Sequence, residues 1–192
     1  ADFHTNVTKT WFGGTGDWET AGNWSPSGVP DAGDDVYINA GSVTISSAQS
    51  VASLTFSGST LSGSGTLTVT GTMAWTGGTM DGTGATTIAS GGVMNVSGSN
   101  KALDQRTLNN YGTVNWGGAP NWLNTGPVIN NHPGGTFNLQ ADMPFAGGGS
   151  LPTFNNLAGA TFNKDSTVAT ATVSAAFNNS GTVNATSGTL SF

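Results

Sequence analysis

One short phrase recurs four times in this chain. Residues 108–116 read LNNYGTVNW, 129–139 INNHPGGTFNL, 154–164 FNNLAGATFNK and 177–185 FNNSGTVNA. Each copy is an apolar residue, an Asn pair, a turn containing Gly, then Thr, an apolar residue and Asn. The second Asn of each pair falls at 110, 131, 156 and 179, intervals of 21, 25 and 23. The apolar residue after Thr falls at 114, 137, 162 and 183, intervals of 23, 25 and 21. A strand-turn unit that returns at such a period cannot bury its apolar face alone, and stacked copies can. The repeat predicts a β-solenoid.

Composition agrees with the repeat. The 192 residues include 30 Gly, no Cys and only 7% charged side chains. Thr and Val suit half-buried pleated surface, and strong helix formers are scarce. The expected fold class is all-β: a right-handed parallel β-helix of about seven coils with a Trp-rich N-terminal cap. At ~4.8 Å per stacked strand, such a rod is roughly 30–35 Å long. Four basic residues stand against ten acidic ones, for a net charge of −6. Nucleic-acid binders neutralise about 6–10 phosphates with Lys and Arg, so that class is excluded. Attraction to an anionic membrane is disfavoured equally, and no apolar run reaches the roughly 20 residues of a membrane span. The Asn-, Thr- and Gly-rich, Lys-poor composition reads as extracellular or cell-surface.

Residues 1–40 are expected to form the cap and lead-in strand, and residues 41–192 the coils. Trp11, Trp18 and Trp24 fall in the non-repeating start. A solenoid's first coil exposes an apolar end and an unpaired edge, which terminal segments must cover. A buried Trp removes about 150–250 Å² from water, so three of them suit a lid. An exposed aromatic platform for sugar rings is the competing reading. Asp31, Asp34 and Asp35 follow in a Gly-containing loop. They read as a turn in which Asp side chains bond nearby N–H groups, or as a calcium site supplemented by backbone carbonyls. No other cofactor is expected.

Within the coils, GSVTI, GTLTV and GATTI echo GTVNW. Taking Val43, Leu67, Ile88 and Val114 as one column gives intervals of 24, 21 and 26. Leu108, Ile129, Phe154 and Phe177 are expected to stack inward, as are Val114, Phe137, Phe162 and Val183. Asn110, Asn131, Asn156 and Asn179 are expected to stack in the turn and bond from coil to coil. Outward, Thr113 with Asn115 and Thr136 with Asn138, repeated at 161/163 and 182/184, make a flat uncharged face. Ser42 with Thr44 and Thr66 with Thr68 are expected to extend it. Such a face is ordinary strand surface, or it contacts glycan or ice. Alternation points Trp75 and Trp116 inward. Lys164, however, shares the column of Trp116 and is costly to bury unpaired, which places that column at a corner. Trp116 and the loop residue Trp122 are therefore the candidate exposed aromatics.

Residues 73–88 (MAWTGGTMDGTGATTI), 101–118 (KALDQRTLNNYGTVNWGG) and the later N-N-x-G-T-V-N echoes resemble the pectin-lyase-like β-helix repeats of very large bacterial surface and secreted proteins. The lead-in NWSPSGVPDAGDDVYINAGSVTI is similar to the segment preceding the coils there. The resemblance implies one module of a longer chain, with flanking domains, serving as stalk, adhesin or glycan-contacting surface. Fold kinship with polysaccharide lyases and hydrolases does not confer their chemistry. Asp81, Asp104, Asp142 and Asp165 are isolated in sequence, and Lys101, Asp104 and Arg106 read as an ion-pair clasp. His4 and His132 lie far apart, with no triad or metal-ligand spacing. The expectation is a non-catalytic extracellular module. Its rivals are a carbohydrate-binding module, then a lyase, hydrolase or ice-binding protein. The terminal GTLSF resembles a further coil strand, so the segment is expected to derive from a longer solenoid.

Overall fold

The computed structural model describes residues 6–118, 121–141, 145–146, 150–165 and 169–192, with backbone alone for 121–122 and 145–146. The chain winds as a three-sided parallel β-solenoid of about seven turns. Each complete coil contributes one short strand to each of three sheets. Among the described residues, sheet I has ten strands, sheet II six and sheet III seven. In the last coils each strand of a separate three-stranded sheet (Phe145–Ala146, Thr170–Ser174, Thr189–Ser191) follows a strand of sheet I in the chain.

Parallel in-register pairing turns a repeated phrase into columns. On sheet I the first inward column is Val36, Leu54, Met73, Met94, Val114, Phe137, Phe162 and Val183. Its intervals are 18, 19, 21, 20, 23, 25 and 21, so the coils lengthen along the chain. On sheet III, Leu67, Thr86, Leu108, Ile129, Phe154 and Phe177 form the matching column. Phenylalanine fills the wider late coils. Phe137 stacks on Phe162 at 5.6 Å, and Phe154 meets Phe137 edge-on at 4.9 Å. Such aromatic pairs add about 0.5–1.5 kcal/mol beyond their area burial.

The early column expected from Val43, Leu67, Ile88 and Val114 does not exist. Val43 lies on sheet II, Leu67 and Ile88 on sheet III two residues out of step, and Val114 on sheet I. GSVT at 41–44 on sheet II and GTLT at 65–68 on sheet III share one Gly-x-apolar-Thr texture, which GTVN at 112–115 on sheet I nearly repeats, so one mimics another. For the same reason Ser42 with Thr44 and Thr66 with Thr68 belong to sheets II and III and do not extend the face holding Thr113 and Asn115.

The N-terminal end is closed as expected. Thr8–Trp11 pairs in parallel with Asp35–Ile38, and Trp24–Ser25 covers its other edge in antiparallel. Trp11, Trp18 and Trp24 are buried, with Trp24 edge-on to both others at 5.1 and 4.7 Å. Trp24 Nε1 donates to Trp18 O at 2.7 Å. Glu19 then ties this cap to the next coil, accepting from Ser46 N, Ser47 N, the Ser47 hydroxyl and Gln49 Nε2.

All four basic side chains are buried. Lys9 donates to Pro26 O and Ser27 O, Lys101 to Gly98 O at 2.8 Å, and Lys164 to Ser187 O at 3.0 Å. Arg106 is fully inside. Its Nε donates to Thr86 Oγ1, and its terminal nitrogens donate to the carbonyls of Gly63, Asp81, Gly65 and Ala85. Those carbonyls come from the two coils beneath, at corners where the chain leaves strand geometry. Each buried carbonyl left unpaired costs about 1–3 kcal/mol, and the guanidinium fork pairs four of them. Desolvation lowers the Arg106 pKa to about 10, opposed by the nearby charge of Asp81. The ion-pair clasp expected among Lys101, Asp104 and Arg106 is thus replaced by cation–carbonyl bonds.

Two outcomes follow. Arg106→Ala is expected to lower unfolding free energy by more than about 3 kcal/mol, with Arg106→Lys recovering little, as measured by denaturant titration. Burial tends to raise the Glu19 pKa, but hydrogen bonds from Ser47, Ser46 and its own backbone outweigh this and hold it below 4.5. Stability from that carboxylate is complete above 4.5 and lost as pH falls through the lower folded value. Glu19→Gln should therefore flatten this part of the acid limb in melting curves recorded from pH 6 downward.

Candidate functional site

The repeated Asn residues form three ladders. The inner one runs Asn110, Asn131, Asn156, Asn179, with each Nδ2 donating to the next Oδ1 at 2.8–2.9 Å. The second N–H of the first three donates to Thr136 O, Thr161 O and Thr182 O. This column continues Val51, Val69 and Ile88 of the earlier coils, so amides replace aliphatics in one row that is buried through Asn156 and exposed at Asn179. A buried amide is tolerated because every donor is used.

Two further ladders lie outside. On sheet I, Asn115, Asn138, Asn163 and Asn184 each donate to the residue one coil earlier, beginning at Asn95. On sheet III, Asn130, Asn155 and Asn178 do the same from Asn109. These outer ladders run opposite in polarity to the inner one. Thr113, Thr136, Thr161 and Thr182 stand in register beside the sheet I ladder. The face expected at Thr113, Asn115, Thr136 and Asn138 is therefore present. Each mid-ladder outer amide spends one N–H and one oxygen lone pair on its neighbours, which leaves one donor and one acceptor site for outward contact.

The aromatic candidates fall elsewhere. Trp116 is only 1% exposed, edge-on to Trp75 at 5.9 Å and stacked on Phe137 at 5.7 Å. The corner inferred from Lys164 is inside because Ser187 O receives its ammonium. Trp122 lies on the strand Asn121–Asn124, but its side chain is outside the described residues. At one turn an exposed Tyr111 stacks on the half-buried His132 at 4.0 Å. Desolvation lowers the His132 pKa below 6.5.

In the acidic loop, Asp34 is buried and accepts from Val7 N and Asp31 N with its two oxygens. Asp31 Oδ1 accepts from Gly33 N, and Asp35 accepts from the Ser53 hydroxyl. This is the turn reading. Among the described residues no three His, Cys, Asp or Glu converge on a point that could hold a metal ion.

Winding brings together one pair that sequence distance hides. Asp81 and Asp104 directly follow Met80 and Leu103, which face each other on adjacent coils. Asp81 accepts from Gly82 N, whereas Asp104 Oδ1 is buried without a hydrogen-bond partner. The adjacent cation, Arg106, is committed to carbonyls. Asp142 and His4 lie outside the described residues. No protein-family model, curated protein or solved structure matches this chain.

Inner and outer ladders predict different costs. Asn131→Ala strands Asn110 Nδ2, Asn156 Oδ1 and Thr161 O, and should cost about 3 kcal/mol or more. Asn138→Ala, on the half-buried face, should cost under about 1 kcal/mol. Parallel denaturant titrations of the two variants check this.

Proposed function

We propose that this chain is a non-catalytic β-helix module of a larger secreted or cell-surface protein, serving as a rigid stalk with an adhesive polar surface. The observation that carries the reading is the use of its polar groups. The amides of all three Asn ladders bond to one another, and every basic side chain is turned inward onto carbonyls. A lyase-type proton abstraction needs a base aimed at substrate, and hydrolysis needs an acid and a base on opposite sides of a bond. Asp81 and Asp104 sit side by side on one face, without an accessible cation beside them. The composition and the likeness to bacterial surface repeats support an extracellular setting, and a longer parent chain fits that setting.

Carbohydrate recognition through Trp116 loses its basis with that ring in the core. The carbohydrate-binding alternative then rests on the hydroxyl and amide surface or on Trp122, whose side chain lies outside the described residues.

The test is prolonged incubation with soluble and insoluble polysaccharides, with calcium and with chelator. The expected result is neither new reducing ends nor unsaturated uronate absorbance. Turnover abolished by Asp81→Asn or Asp104→Asn would replace this reading with a hydrolase.

A further inference from the structure

On the last four strands of sheet I the outward side chains make two straight rows. Thr113, Thr136, Thr161 and Thr182 form one row, and Asn115, Asn138, Asn163 and Asn184 the other, each residue in register with its counterpart in the next coil. Strand geometry sets about 4.8 Å between neighbours in a row and roughly 6.7 Å between the rows. The amide row is locked by its own ladder, in which each Asn donates to the one a coil earlier. Such side-chain ladders also hold a sheet flat against its natural twist. The Thr row is stiff because the branch at Cβ restricts χ1. The result is a grid fixed in both directions.

A second observation concerns unspent bonding. Among the described residues, none of the four Thr hydroxyls has a protein hydrogen-bond partner. All eight side chains are half-buried or exposed, and none is charged. Sheet III supplies an internal contrast. It carries the same outer Asn ladder, but its neighbouring row runs Thr107, Val128, Thr153, Ala176 and so loses every second hydroxyl. Among the described residues, sheet I alone has both rows complete over these coils.

We propose that this Thr/Asn face of sheet I binds ice, adsorbing to a prism surface of the crystal. The two repeats of the grid lie close to those of the oxygen rows on a prism plane of hexagonal ice. Hydroxyls and amides can each donate and accept, so they seat a layer of ordered water, and the Thr methyls fill the spaces between. Soluble small ligands do not suit the face, because their sites are concave and enclose most of the ligand. A protein partner does not suit it either. Four strands of four residues cover about 250 Å², against roughly 800 Å² per partner in a stable interface. The rows also lack the Trp, Tyr and Arg that anchor such interfaces. A periodic solid is the ligand that meets every position of the grid at once. The inference goes beyond the stalk reading and does not depend on it.

The test is partition of the fluorescently labelled protein into a slowly grown ice hemisphere, with inhibition of ice recrystallisation measured beside it. The expected result is uptake into ice while labelled serum albumin is excluded. Thr136→Tyr and Thr161→Tyr each push a ring through the row and should cut uptake at least tenfold at unchanged melting temperature. Thr153→Tyr, at the matching row of sheet III, should leave uptake unchanged. Exclusion of the unmodified protein from ice, without recrystallisation inhibition, would overturn the proposal. Full uptake by both sheet I variants, or equal loss in Thr153→Tyr, would do the same by moving the contact off this face. Exclusion from ice with retention on crystalline cellulose or chitin, lost in the sheet I variants, would assign the face to polysaccharide instead. None of these outcomes touches the non-catalytic reading, which fails only on release of product from a polysaccharide.

Discussion

The structure depends on parallel, in-register pairing of each coil with the next. Strands lie about 4.8 Å apart, so every side chain sits directly above the residue at its own position in the preceding coil. A position therefore has to be compatible with a copy of itself. Aliphatic and aromatic residues stack with a gain in burial. Asn stacks because its amide is donor on one side and acceptor on the other. Like charges stacked this way repel. That constraint accounts for a chain with 7% charged residues and three separate Asn ladders.

The same constraint shapes the interior. Sharp corners leave carbonyls without strand partners, and burying them unpaired is costly. The protein meets this with cations: Lys9, Lys101, Arg106 and Lys164 all donate into such corners. Each cation is held by carbonyl dipoles, and desolvation accordingly depresses the pKa of Lys101 and Arg106. A side effect is an exterior without basic side chains. It discourages polyanions and leaves hydroxyl and amide groups as the means of contact.

Two kinds of polar surface then differ in what they can do. Along sheet I, amide ladders hold one another at fixed spacing and form a stiff, half-satisfied face. At the corner between sheets I and II, glycines thin the side-chain layer and leave an open recess lined by Gly, Ser, Thr and Asn. The first favours rigidity. The second is an uncharged hollow in the same polar surface.

Much of the fold was legible in the residues. The phrase N-N-x-G-T-apolar-N established a parallel solenoid, its later inward columns, the inner Asn ladder and the Trp lid, because each follows from local alternation and a period. The early coils were misphased because Val43 and Leu67 have like neighbours on different sheets, while Ile88 shares the sheet of Leu67 two residues out of register, and only pairing tells these apart. Lys164 argued for an exposed corner, since sequence does not reveal that Ser187 O waits for its ammonium. Trp116 went inside with it. The adjacency of Asp81 and Asp104, the carbonyl cradle of Arg106 and the corner groove are likewise products of winding. Periodicity determines which residues repeat, while coil length, register and corner geometry decide which of them meet, because those depend on backbone hydrogen bonds between segments some twenty residues apart.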